Sequence, residues 1–267
     1  MKNVKESANF IWSIADLLRG DYKQSDYGKV ILPLTVLRRL DCVLDATKEE
    51  VLKKHEQLKN TGIEDLDALL NRASGYKFHN RSNFTFDKLV ADPNNIALNL
   101  RNYINGFAED AREIIEQFEF ENQINQMDDA NLLFMVIKRF QEIDLHPDRI
   151  SSMEMGYMFE ELIRKFAEIS NETAGEHFTP REVIKLMVNI LFLNDRDILT
   201  KKGITKTIYD CCAGTGGMLS VAEEYLNELN PDARLEVFGQ ELNPESYAIC
   251  KSDLLIKGQN ASNIKKG

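Results

Sequence analysis

The sequence predicts two architectures in one chain, a helical N-terminal part followed by an open parallel α/β sheet. Three observations carry this. Apolar residues recur at helical spacing as far as about Leu145. A β-type run, a glycine turn and a helical run then follow one another from Thr207 to Leu219. A second strand-like run, Leu235, Val237 and Phe238, leads through another turn into another helical pattern, and alternating strands and helices of this kind build parallel sheets.

The 267 residues allow one large or two modest domains, and we place the division at residues 1–145 and 146–267. The 43% hydrophobic and 28% charged composition is that of a globular protein. No run of 18 apolar residues and no basic-then-apolar leader occurs, so the expectation is a cytoplasmic chain that does not enter a membrane. Cys42, Cys211, Cys212 and Cys250 lack metal-ligand spacing and read as free thiols in a reducing compartment. A formal net charge of −10 opposes tight binding to a polyanion through a broad basic face. If the substrate is DNA, a partner supplies much of the grip.

In the helical part, Phe10, Ile11, Ile14, Leu17 and Leu18 make one amphipathic face, and a denser apolar stretch runs from Val30 through Leu44. Pro33 is expected to start or bend that second helix, because it has no N–H to donate. Thr47 to Asn60 reads as a solvated helix, Asp92-Pro93-Asn94 as a stop and restart before Ile96 to Phe107, and Leu132 to Ile143 as another stripe. Trp12 reads as core. His55 and His79 have no second candidate ligand nearby and read as ordinary core or surface histidines. Arg38, Arg39 and the Lys53-Lys54 pair read as solvated helix faces, with phosphate contact the alternative.

Asp144 to Ile150 reads as a linker, and Met155 to Ile169 returns to helical spacing. In Gly175 to Glu182, Thr179 as N-cap, Pro180 at the first helical position and Glu182 three residues after the cap form a capping box. The helix beyond carries Val183, Leu186, Met187 and Ile190 on one face. A well-made helix start accounts for this stretch without any ligand.

Ile208 and Tyr209 suit a buried strand, with Asp210 at its carboxyl end, where open α/β sheets bind ligands. Gly214, Gly216 and Gly217 bring backbone close to whatever lies there, just before a helix whose free amides face it. A P-loop would close on Lys and Ser or Thr, but Met218 and Leu219 follow. The dinucleotide fingerprint needs a third glycine where Leu219 stands. Glu241, at the end of the second strand, is placed to accept both hydroxyls of a ribose that lacks a 2′-phosphate. A tight strand–helix connection with no ligand remains the plain alternative. Asn243 caps and Pro244 begins a further helix, and Asn263 to Gly267 leads towards a third strand.

Asp210-Cys211-Cys212-Ala213-Gly214-Thr215-Gly216-Gly217 and Gly239-Gln240-Glu241-Leu242-Asn243-Pro244 resemble the D-P-A-C-G-[ST]-G-G and G-x-E-x-N-P motifs of adenine-specific DNA methyltransferase (modification) subunits of type I restriction-modification systems. The departures are Cys211, Cys212 and Ala213, where the family has Pro, Ala and Cys. Gly175 to Arg181 resembles the family's G-E-x-[FY]-T-P-R, with His177 at a usually aromatic position, and the FIWSIADLLRG opening resembles its helical N-terminal domain. The resemblance implies the first half of a Rossmann-like S-adenosylmethionine-dependent methyltransferase domain behind the helical one. It implies S-adenosyl-L-methionine as cofactor, held by Glu176, His177, Phe178, Thr179, Pro180 and Arg181 together with Asp210, Gly214, Thr215, Gly216, Gly217 and Glu241. It implies methyl transfer to adenine N6 in duplex DNA, with a specificity subunit, a second modification subunit and a restriction subunit as partners. The family's [ND]-P-P-[FY] motif for a flipped-out adenine is found nowhere in the 267 residues, so the chain alone is expected not to methylate DNA. In the family's strand order a fourth strand lies beside the first, so Thr207 to Asp210 is expected at an unpaired sheet edge. A small-molecule methyltransferase and a non-catalytic assembly fragment are the other readings.

Overall fold

The structure is a computed structural model and describes residues 2–61, 65–170, 179–195 and 199–267. Its helical part consists of α1 (Lys2–Ile14), α2 (Tyr27–Leu44), α3 (Lys48–Leu58), α4 (Asp67–Ser74), α5 (Phe86–Ala91), α6 (Ile96–Asn105), α7 (Glu109–Glu116), α8 (Phe120–Asp129) and α9 (Leu133–Gln141). Helix α2 is apolar on nearly every side, which marks a helix enclosed by others. It packs on α1, α8 and α9, and also on the C-terminal half of the chain through α10 (Ser152–Ser170). Pro33 lies inside α2 and does not start it; the helix begins at Tyr27. Trp12 is only partly buried and rests against the Phe166 ring of α10 at 5.3 Å. His79, by contrast, is a core histidine: its Nδ1 donates to Asn71 Oδ1 at 2.7 Å.

Arg38 and Arg39 are not a solvated face. Arg38 Nε donates to the Ile143 carbonyl at 2.8 Å, and buried Arg39 donates to the carbonyls of Leu145 and Ile150, the latter at 2.7 Å. Burial lowers the Arg39 pKa to about 10. The two arginines fasten the 144–150 connection to α2, satisfying carbonyls that no regular element pairs.

The sheet holds β1 (Thr205–Asp210), β2 (Arg234–Glu241) and β3 (Ile264–Lys266), parallel and in that order. Helix α12 (Gly217–Leu229) links β1 to β2, and α13 (Pro244–Ile256) links β2 to β3. Right-handed crossovers moving in one direction put both helices on one face, where Ile208, Leu235 and Val237 are buried. Tyr209 points to the other face and is 60% exposed, against the expectation of a buried strand residue. Its hydroxyl donates to Gln240 Oε1 at 3.0 Å. Among the described residues, β1 pairs with β2 on one side and with no strand on the other.

Helix α11 (Arg181–Leu193) also departs from expectation. Its buried residues are Arg181, Ile184, Val188 and Phe192, which pack towards α12. The apolar face read from the sequence points outward, with Leu186 at 60% and Ile190 at 61% exposure. Periodicity finds an apolar stripe but does not say which of two adjoining stripes meets the core.

Two predictions follow from the packing. An apolar helix face beside an open sheet edge promotes association. The chain should therefore show concentration-dependent self-association by light scattering, shifted towards monomer in Leu186→Glu/Ile190→Glu. Burial lowers the His79 pKa to about 4. The unfolded chain thus binds the extra proton between about pH 6.5 and 4, and stability falls as pH drops through that window, by at most about 3 kcal/mol. Urea midpoints at pH 7 and pH 5 should differ more for the wild type than for His79→Gln.

Candidate cofactor site

β1 and β2 end side by side, and their last residues, Asp210 and Glu241, stand at the carboxyl edge of the sheet. The chain between β1 and α12 folds back over β2. Ala213 N–H donates to the Gln240 carbonyl at 2.9 Å, and Gly216 N–H closes a turn onto the Ala213 carbonyl at 2.8 Å. This course needs glycine at two places. Gly216 has φ +86°, where a Cβ would also meet Cys250 Sγ at 2.9 Å. At Gly239 in β2, a Cβ would meet Ala213 Cβ at 3.1 Å and lift the turn off the strand.

The Glu241 carboxylate organises the turn. One oxygen accepts from Gly214 N–H at 2.7 Å, and the other accepts from Asn243 N–H, also at 2.7 Å. Asp210 Oδ1 accepts from Cys212 N–H at 3.0 Å. Asn243 caps α13 through Ser246 N–H, as the sequence suggested. Each carboxylate oxygen of Glu241 retains acceptor capacity after its backbone bond.

A cavity of about 470 Å³ opens above this turn. Of the residues expected to form the site, Thr179, Asp210, Gly214, Thr215, Gly217 and Glu241 line it. Glu176, His177 and Phe178 lie outside the described residues. Thr179 makes no capping bond: the helix starts one residue later than expected, at Arg181, with Pro180 as its N-cap at ψ 135°. A second cavity of about 500 Å³ shares Asn243 and Ser246 but lies among α2, α10 and the α7–α8 turn, away from the strand ends. The strand-end cavity is the crevice in which open parallel sheets take ligands.

Arg181 takes a different position from the one expected. It is buried beneath the glycine turn, where its guanidinium pairs with Glu160 of α10 (Nη2–Oε1 2.9 Å, Nε–Oε2 3.3 Å) and stacks on Tyr157 at 5.0 Å. Nη1 points at the Gly217 carbonyl at 3.4 Å. Gly156 has no side chain because the guanidinium fills the place of a Cβ. The pair thus joins α10, α11 and the start of α12. Glu160 also reaches the cavity wall, and burial raises its pKa while Arg181 opposes that rise. Sequence reading missed Glu160. The available signal was Gly156, a glycine one helical turn before an acid inside an otherwise regular amphipathic helix.

The acidic groups on the cavity wall are Glu160, Asp210 and Glu241, and no Lys, Arg or His lines it among the described residues. This acceptor set suits a cationic ligand with hydroxyl or amine donors and disfavours a phosphate.

A three-stranded parallel sheet with this glycine turn behind a helical region is a fold of the S-adenosylmethionine-dependent methyltransferase type. Residues 7–140 match the HsdM N-terminal domain, and residues 151–267 match the N-6 DNA Methylase family. The chain belongs to the methylase subunits of type I restriction enzymes. It is 26% identical over 270 residues to the type I restriction enzyme MjaIX methylase subunit of Methanocaldococcus jannaschii, covering 95% of this chain and 46% of that one. It is 26% identical over 166 residues to the EcoEI methylase subunit of Escherichia coli, covering 60% and 31%. The chain thus spans less than half the length of these relatives. The crystal structure of a type I restriction-modification methyltransferase subunit from Streptococcus thermophilus shares the fold, with a TM-score of 0.64 and 22% identity over 99% of this chain and 58% of that one.

The buried pair makes a prediction. Arg181→Met strands the Glu160 carboxylate and should cost about 3 kcal/mol or more in urea denaturation. Arg181→Met/Glu160→Leu should recover most of that loss.

Proposed function

We propose that the strand-end cavity holds S-adenosyl-L-methionine, and that the chain is the cofactor-binding part of a modification subunit that methylates adenine N6 in DNA. The observation that carries this is the pair of carboxylates at neighbouring strand ends around a glycine turn, in a cavity that no Lys, Arg or His lines among the described residues. Family membership supports the methyltransferase reading. It does not favour a small-molecule substrate.

S-adenosylmethionine supplies a methyl group on a positively charged sulfur. The chain's own residues bind and orient. Glu241, held at both oxygens by Gly214 and Asn243, presents a fixed acceptor for ribose hydroxyls. Asp210 adds negative charge to a wall that faces a cationic ligand, whereas the charge of Glu160 is balanced by Arg181, and the left-handed Gly214, with open space where a Cβ would be, lets the ligand approach the backbone. Thr179, from the resembled 175–181 motif, lines the cavity. In this reading Arg181 and Pro180 act by positioning, Arg181 from beneath the turn.

In this reading the 267 residues supply the cofactor half of the site, and the family's [ND]-P-P-[FY] motif is not found among them. The family's division of labour gives DNA sequence reading to a specificity subunit and places a second modification subunit and a restriction subunit in the same cytoplasmic complex. A net charge of −10 is consistent with DNA being gripped mainly through that complex.

Glu241→Ala should weaken S-adenosylmethionine binding by about 1 to 3 kcal/mol in calorimetry, the cost of leaving polar partners unmade. Equal affinity in the variant would remove Glu241 from the site. Tighter binding of NADH than of S-adenosylmethionine would overturn the cofactor assignment.

A further inference from the structure

Two cysteines stand at the mouth of the proposed cofactor cavity, in the turn between Asp210 and Ala213. Cys211 and Cys212 are both exposed, and their sulfurs are 4.0 Å apart. Cys212 lines the cavity. The other two cysteines, Cys42 and Cys250, are buried, so this pair carries the accessible thiols of the chain.

The spacing selects a chemistry. A disulfide needs about 2.05 Å between sulfurs, and adjacent residues reach that only by distorting the peptide between them. The peptide is held here, because Cys212 N–H is bonded to Asp210 Oδ1 and Ala213 N–H to the Gln240 carbonyl. One soft atom between the sulfurs needs far less movement. Two bonds of about 2.3 Å meeting at the roughly 95° angle of a pyramidal trivalent centre span roughly 3.4 Å, still far closer to the 4.0 Å seen here than a disulfide is. Soft sulfur ligands in turn select soft centres over hard ones.

We propose that Cys211 and Cys212 form a dithiol site that captures trivalent arsenicals, and that its occupation closes the cavity to S-adenosylmethionine. The closing half rests on the cofactor reading above. In the reaction, an arsenoxide loses its oxygen as water with the two thiol protons, and two As–S bonds replace it. Arsenic stays trivalent, so no oxidant or reductant is consumed. The captured group then occupies the space in front of Asp210 and Gly214, and it fixes the turn whose Gly214 amide holds Glu241.

The test uses phenylarsine oxide on the 267-residue chain. Intact mass should show one phenylarsine adduct per chain that survives excess monothiol and is removed by 2,3-dimercaptopropanol. Cys211→Ser and Cys212→Ser should each lose that resistance to monothiol. In calorimetry, the adduct should lower S-adenosylmethionine affinity at least tenfold in the wild type, with recovery on dithiol treatment. In the two serine variants, the ratio of affinities before and after treatment should stay near one. A monothiol-resistant adduct in both single variants would overturn the dithiol site, and an adducted chain that binds cofactor as well as the free chain would overturn the gating. If the untreated chain does not bind S-adenosylmethionine, the cofactor reading and the gating fall together, and the adduct mass still decides the dithiol.

Discussion

The Glu241 carboxylate is the interaction on which the site's shape depends. Its two oxygens hold Gly214 N–H in the turn after β1 and Asn243 N–H at the start of α13, so one side chain sets the distance between two loops from different crossovers. A charged acceptor bonded to two amides is stronger and shorter than a neutral one. The arrangement also solves an accounting problem, since amides leading into helix starts have no intrahelical partner. A group that organises its own loop before any ligand arrives makes a pre-formed acceptor, and pre-formed sites lose less entropy on binding.

The second support lies under the same turn. Arg181 and Glu160 are buried together, and a buried pair is not by itself a source of stability, because desolvation offsets much of the attraction. What it supplies here is position. With Gly156 making room and the Gly217 carbonyl above, the guanidinium fixes how closely α11 approaches α12 and therefore where Thr179 and Ile184 enter the cavity wall. The resemblance implies Arg181 at the cofactor; the geometry, beneath the turn and outside the cavity lining, makes it a strut.

Much of this was legible beforehand. Strand, glycine turn and helix, the two acids at strand ends and the Asn243-Pro244 helix start are local patterns, and their short-range geometry leaves few choices. What was illegible depends on contacts between distant segments. Arg39 reads as surface until the linker at 144–150 folds against it, and Tyr209 reads as buried until it is seen on the sheet face that the described helices leave exposed. Glu160 lies 50 residues before Asp210 and belongs to a helix whose pattern alone shows only an apolar stripe. The face of α11 is the same failure: apolar residues cover more than half its circumference, and the centre of that arc does not coincide with the side, Ile184, Val188 and Phe192, that meets the core.

That helix ties the chain's exposed surface to its chemistry. Ile184 and Met187 line the cavity while Leu186 and Ile190, on the same two turns, face outward with Leu193. The helix is held along its length, by Arg181 at its start and by Ile184, Val188 and Phe192 against α12, with the Phe192 ring 5.5 Å from that of Tyr225. The β1 edge runs on the same part of the molecule, and its last residue is Asp210. The start of α11 and the end of β1 thus meet at one cavity, with Ile184 and Met187 on one wall and Asp210 on the other, so the exposed helix stripe and the strand edge unpaired among the described residues both adjoin it.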